Sequence, residues 1–293
     1  MDLACTKHLE QGILPPVPPY LYFVVSAVFH YLGPAFAVLL FARVDVLGVA
    51  WLRIAAAAAV FALWRRPWSV LRGPAGPLIV AWGAVLALMN CSFYLAIDRL
   101  PLATVAAIEF LPVIVLAAVG ARSRRNVQAL ALAVAGVYLV TGVHLEGAPL
   151  GLALAFANAV LFALYIVLAH RVARHEAVSG IDGLAASMLV ALVAVTPMGG
   201  WEVLPALGDP VALLAGIGVG VSSSVIPYVT DQLAMARLPR ATYALMVSLL
   251  PATATVIGVV VLTQVPTPAE AAGVALVIAG VALHREPSEV AVA

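Results

Sequence analysis

Leu95-Ala96-Ile97-Asp98-Arg99-Leu100-Pro101-Leu102-Ala103-Thr104 returns 138 residues later as Leu233-Ala234-Met235-Ala236-Arg237-Leu238-Pro239-Arg240-Ala241-Thr242. The shared Arg-Leu-Pro carries the likeness, because chance matches in so Ala- and Leu-rich a chain seldom include it. Farther on, with one residue inserted, Glu109 and Pro112 stand opposite Ser248 and Pro251 at the same three-residue separation. Each copy joins two apolar runs. Five runs separate the copies, and an odd number places them on opposite sides of a membrane, Arg99 outside and Arg237 inside. That is the arithmetic of an inverted-topology repeat, with which many secondary transporters build two interchangeable gates around a central site.

The composition requires a membrane. Of 293 residues, 64% are hydrophobic and only 10% charged, with a mean hydropathy of +1.10, whereas a soluble domain solvates its surface with roughly 25% charged residues. Apolar runs of about 20 residues suit helices that cross the hydrocarbon core, not barrel strands. Ten spans are expected, at about 20–41, 46–64, 76–97, 101–120, 127–144, 149–169, 181–199, 211–235, 239–262 and 268–284. The predicted fold is an all-α polytopic membrane protein, ten transmembrane helices in a five-plus-five inverted repeat. Residues 1–19 form a cytoplasmic tail without the pattern of a signal peptide; 20–144 are the first repeat, 149–284 the second, and 285–293 a second cytoplasmic tail.

Orientation follows from the basic residues. Alternate connections hold Lys7, Arg65, Arg66, Arg72, Arg122, Arg124, Arg125, Arg171, Arg174, Arg237, Arg240 and Arg285. The opposite set holds Arg43 and Arg99, beside Glu146, Glu202 and Asp209. Both termini are therefore expected in the cytoplasm. The net charge of +1 is dispersed and forms no nucleic-acid footprint. Cys5 and Cys91 give neither a disulfide framework nor metal-ligand spacing, and the six scattered histidines supply no metal or catalytic motif. No cofactor is expected, and no enzyme. The partners are the bilayer and a small-molecule substrate; a homodimer is compatible with the pattern.

Ionisable groups at bilayer depth mark candidate function. Arg53 and Glu109 lie about 11–12 Å from the same face of the membrane, counting 1.5 Å per residue from the span ends, and an ion pair between them is one expectation. His30 and Asn158 share that depth. Asn90 with Tyr94 and Asn158 with Tyr165 lie on common helix faces, as do Ser224, Tyr228 and Asp231. Each also fits plain helix packing, since amides and hydroxyls commonly join helices in lipid. Asp231, near a span end, fits an interfacial residue. The substrate-binding candidates are His30, Arg53, Asn90, Tyr94, Glu109, Asn158, Tyr165 and Tyr228, and Glu109 is the candidate for proton coupling. Pro34, Pro112, Pro227 and Pro251 are candidate hinges, because each displaces the carbonyl four residues before it: His30, Ile108, Ser223 and Val247. Those carbonyls require new partners.

These residues resemble the EamA-type transporters of the drug/metabolite superfamily. The likeness rests on Leu52-Arg53, Met89-Asn90, Phe93-Tyr94-Leu95, Pro101-Leu102, Glu109-Phe110 with Pro112, Tyr165 with Arg171, Pro227-Tyr228 and Arg237-Leu238-Pro239, and it covers the chain from about Tyr20 to His284. It implies export of small amino acids or related metabolites by alternating access. Two departures stand out. Relatives often carry a glutamate directly before the proline of the ninth span, where this chain has Leu250, and Gly-Glu after that span, where it has Thr263-Gln264. A carrier of drug cations or sugar derivatives, and a membrane scaffold that transports nothing, are the competing readings. A buried arginine suits a zwitterion better than a cation, and a scaffold has no need of matched broken helices.

Overall fold

The structure, a computed structural model, describes residues 18–112, 114–115, 123–144, 148–173, 175, 178–238, 246–247 and 249–283. Nearly all of both tails, Arg122, Glu146, Arg174, Ser248, His284 and the second repeat copy from Pro239 onward to residue 245 lie outside the described residues. What is described is helical, without a strand. The helices are α1 (Pro19–Leu40), α2 (Val46–Arg65), the single turn α3 (Trp68–Leu71), α4 (Gly76–Ile97), α5 (Leu102–Glu109) and α6 (Arg124–His144). They continue as α7 (Pro149–Ala173), α8 (Gly180–Gly199), α9 (Pro210–Gly220), α10 (Ile226–Arg237), α11 (Leu250–Leu262) and α12 (Pro268–Leu283).

Six helical stretches are long and apolar enough to cross a membrane: α1, α2, α4, α7, α8 and the composite Pro210–Asp231. That makes the chain a polytopic membrane protein. The shorter α11 and α12 are also apolar. The fourth expected span is interrupted: α5 stops at Glu109, Phe110 forms a turn, and helix resumes at Leu111. The eighth is continuous but not uniform, because Val221–Val225 wind as a π-helix between α9 and α10.

Helix ends follow local chemistry. Asp45 accepts the Leu47 amide to cap α2, and Asp209 accepts those of Val211 and Ala212 to cap α9, with Pro210 at the first position. Arg66, with φ at 48°, turns the chain out of α2. Packing then depends on small residues. Where α6 crosses α12, a Cβ on Gly136 would stand 2.5 Å from the Gly273 carbonyl oxygen, and one on Gly273 2.7 Å from that of Gly136. Only glycine permits that approach. The main helix contacts pair α6 with α12, α4 with α7, α10 with α1, α8 with α2 and α4, α9 with α2, α11 with α1, and α5 with α7 and α11.

Candidate functional site

Arg53 sits in the middle of α2, 6% exposed. A buried guanidinium is costly unless its donors are satisfied, and it is the π-segment that satisfies them. Arg53 Nε donates to Ser224 Oγ at 3.0 Å, and Nη2 donates to the Ser223 carbonyl at 3.1 Å. That carbonyl is the one Pro227 displaces from the helix ladder. The new partner that this carbonyl requires is a side chain from the other half of the molecule. The guanidinium carbon also lies 5.4 Å from the centre of the Tyr94 ring, a cation–π contact. On the far side of the π-segment Ser26 Oγ donates to the Pro227 carbonyl at 3.2 Å. Gly33 abuts Ser223 so closely that any side chain there would collide with it.

Glu109 ends α5 and is likewise 6% exposed. Its Oε1 accepts from Asn158 Nδ2 of α7 at 3.1 Å. Glu109 and Arg53 do not form the ion pair that their common depth allowed: no nitrogen–oxygen approach within 4.0 Å joins them. The reason is competition, since Ser223 and Ser224 occupy the arginine and Asn158 the carboxylate. Both charges of the first half are thus hydrogen-bonded to the second half.

The other candidates fall around this pair unequally. Tyr94 is fully buried and faces both Arg53 and the Ser223 hydroxyl. His30 is half-buried, within electrostatic reach of Arg53, with its ring edge-on to Tyr31 at 5.2 Å. Tyr228 lies within electrostatic reach of Arg53, Glu109, Tyr94 and Asp231. Tyr165 contacts Tyr228 and belongs to an aromatic ladder, stacked on Phe162 at 6.3 Å and tilted against Trp82 at 5.5 Å. Asn90 stands apart: its Nδ2 donates to the Leu86 carbonyl of its own helix at 2.8 Å. Pro34 does not break α1, which runs unbroken through it. Pro112 follows a one-residue turn at Phe110, and Pro251 follows a turn at Leu249.

Several participants escaped the sequence reading. Tyr31 is fully buried within electrostatic reach of Glu109, one position beyond the histidine that drew attention. Ser223 enters the sequence reading only through its displaced carbonyl and Ser224 only as a neighbour of Tyr228 on one helix face, and the π-winding that aims them at Arg53 has no sequence signal of its own. The hydroxyls of Tyr31, Tyr94 and Ser223 and the Asn158 amide oxygen are buried without a hydrogen bond of good geometry. Such atoms favour a polar guest. The layer therefore offers a cation, a carboxylate and several spare donors and acceptors between the two halves of the chain.

Comparison with known proteins supports the class of membrane transporter. Residues 149–285 match the EamA-like transporter family. The chain is 29% identical to the threonine/homoserine exporter RhtA of Escherichia coli K12 over 251 residues, 84% of each chain. It is equally identical to RhtA of Salmonella typhimurium SL1344 over 283 residues, 94% of this chain and 95% of that one. A solved crystal structure of another protein superposes with a TM-score of 0.60 at 23% identity, covering 90% of this chain and 96% of that chain, which speaks to the fold alone. These likenesses support a drug/metabolite-transporter-type EamA protein, an exporter or transporter rather than an enzyme.

Proposed function

We propose that the protein exports small amino acids or closely related metabolites across a bacterial inner membrane, by alternating access between two inverted five-helix halves with both termini cytoplasmic. The observation that carries this reading is the separation of Arg53 from Glu109. Each buried charge has its own neutral partner from the opposite half, so a zwitterion can offer its carboxylate to the guanidinium and its ammonium to the carboxylate. His30, Tyr94, Asn158, Tyr165 and Tyr228 would line the remainder of the path. Asn90 would act through its helix, whose carbonyl it occupies. The threonine/homoserine exporters are consistent with such a substrate.

The inverted repeat draws support from the helix contacts. Exchanging the first span for the sixth, the second for the seventh and so on turns α4–α7 into α10–α1, α8–α4 into α2–α9/α10, and α5–α7 into α11–α1; all of these contacts occur. The pairs α6–α12, α8–α2 and α5–α11 map onto themselves. Such symmetry supplies the two gates of a rocking carrier. Glu109 would load a proton on one side and release it on the other as the gates exchange, so that substrate leaves as a proton enters.

The test is transport by protein reconstituted into vesicles loaded with labelled threonine. An imposed proton gradient opposed to substrate flow should accelerate export, and Glu109→Gln should abolish that acceleration while leaving substrate-for-substrate exchange. Wild-type transport indifferent to the gradient would overturn coupling and leave Glu109 as a helix-packing partner of Asn158. No movement of any amino acid would overturn the substrate class.

A further inference from the structure

A groove of about 450 Å³ lies between α1 and α9, away from the polar layer. Its walls are Phe36 and Leu39 on one side and Val211, Ala215 and Gly218 on the other; Arg43 stands at one end and Ser222 at the opposite end. The walls are exposed, with Phe36 at 45%, Leu39 at 55% and Val211 at 60%, and in a membrane that exposure faces lipid. From Val211 to Ser222 the helix rises about 16 Å at 1.5 Å per residue, close to half of a hydrocarbon core about 30 Å thick. The groove thus has the length of one leaflet.

Its two ends differ in chemistry as a lipid does. At the mouth Arg43 Nη1 pairs with Asp209 Oδ2 at 3.0 Å, with side chains 58% and 35% exposed. The Ala212 amide, followed by the Arg43 guanidinium, holds the Asp209 carboxyl below its ordinary range, so it is ionised and the mouth presents both signs of charge. The interior is apolar down to Ser222. A second observation comes from the glycines of α9. A Cβ on Gly216 would stand 2.6 Å from Leu52, and one on Gly220 2.7 Å from the Arg53 carbonyl, so both make room for α2. Gly218 does not: a Cβ there would meet nothing within 4 Å, and its bare backbone widens the groove.

We propose that this groove is a binding site for one acyl chain of an amine-bearing zwitterionic phospholipid, with its phosphate at Arg43 and its ammonium at Asp209. The deep end of the chain reaches Ser222, directly before the Ser223 and Ser224 that hold Arg53. An occupied groove therefore braces the lipid side of the π-segment. The site is independent of the solute transported.

Native mass spectrometry of the detergent-purified full chain, titrated with palmitoyl-oleoyl phosphatidylethanolamine, tests the assignment. Wild type should retain one lipid saturably. Gly218→Leu, whose side chain enters the groove, should weaken retention about tenfold, the equivalent of about two buried methylenes. Asp209→Asn, which keeps the side-chain oxygen that caps α9 and removes the charge assigned to the ammonium, should narrow the preference for phosphatidylethanolamine over phosphatidylglycerol. Unchanged retention in Gly218→Leu with an unchanged size-exclusion profile would overturn the proposal. So would competition by chain-free glycerophosphoethanolamine as strong as that of the lipid. Should Gly218→Leu not fold, a headgroup preference that is the same in wild type and in Asp209→Asn would overturn it by itself.

Discussion

Two broken helices occupy corresponding places in the two halves and share a backbone. Phe110 interrupts the first with φ −82° and ψ −15°; Leu249 interrupts the second with φ −84° and ψ −7°, and each lies two residues before a proline. Their chemistry diverges at the residue before the turn, which is Glu109 in one and Ser248 in the other. The break belongs to the proline, whose ring clashes with the carbonyl four residues earlier in either half. The charge has no such geometric cause. Backbone symmetry therefore persists where the residue before the turn is ionisable in one half and neutral in the other.

The sharpest challenge to that comparison is substitution at the divergent position. Glu109→Ala removes the carboxylate and leaves the Asn158 amide buried without its partner; transport should fall by about 100-fold, in line with the loss of a buried charged partner. Ser248→Ala should change transport by less than about twofold, the effect of a neutral hydroxyl being small. Both are read by efflux normalised to inserted protein. Equal losses would show that the halves share the burden.

A smaller effect should come from the prolines. Pro112→Ala and Pro251→Ala each restore an amide that can close the broken turn, and each should slow transport several-fold, in the same direction and with similar size, because the backbone turns are alike. Rates measured side by side check this. A loss confined to one of the two would end the equivalence of the breaks.

The least effect concerns the end of α11. Thr263 adopts φ 56° and ψ 25°, a left-handed conformation unfavourable for a β-branched residue. Thr263→Gly should raise stability by about 1 kcal/mol, read as a higher unfolding midpoint in detergent. The neighbouring Gln264 explains how this chain dispenses with the usual acid: its Oε1 accepts the Leu102 amide at 3.0 Å and so caps the first broken helix from the second half. An amide oxygen performs that task as a carboxylate would.

How far the sequence could be read depended on what each feature required. Apolar runs exposed the long helices, because a span needs length and little else, and prolines exposed the breaks at Phe110 and Leu249. Arg53 and Glu109 were legible as charges out of place. Their partners were not. Whether Arg53 meets Glu109 or Ser223 depends on a π-turn of five residues and on Gly33 allowing α1 to approach it, and neither leaves a periodicity to read. Pro34 shows the converse, a proline whose helix runs on unbroken.

The bond from Arg53 to the Ser223 carbonyl has one consequence for the economy of the carrier. On the proposed function, a main-chain oxygen and a hydroxyl hold the guanidinium where a substrate carboxylate would, so the protein carries its own decoy ligand. Binding then becomes a replacement, one acceptor for another around the same guanidinium, with little net gain. A carrier built this way trades tight capture for quick release. On the same proposal it would also return without substrate and leave no bare cation in lipid.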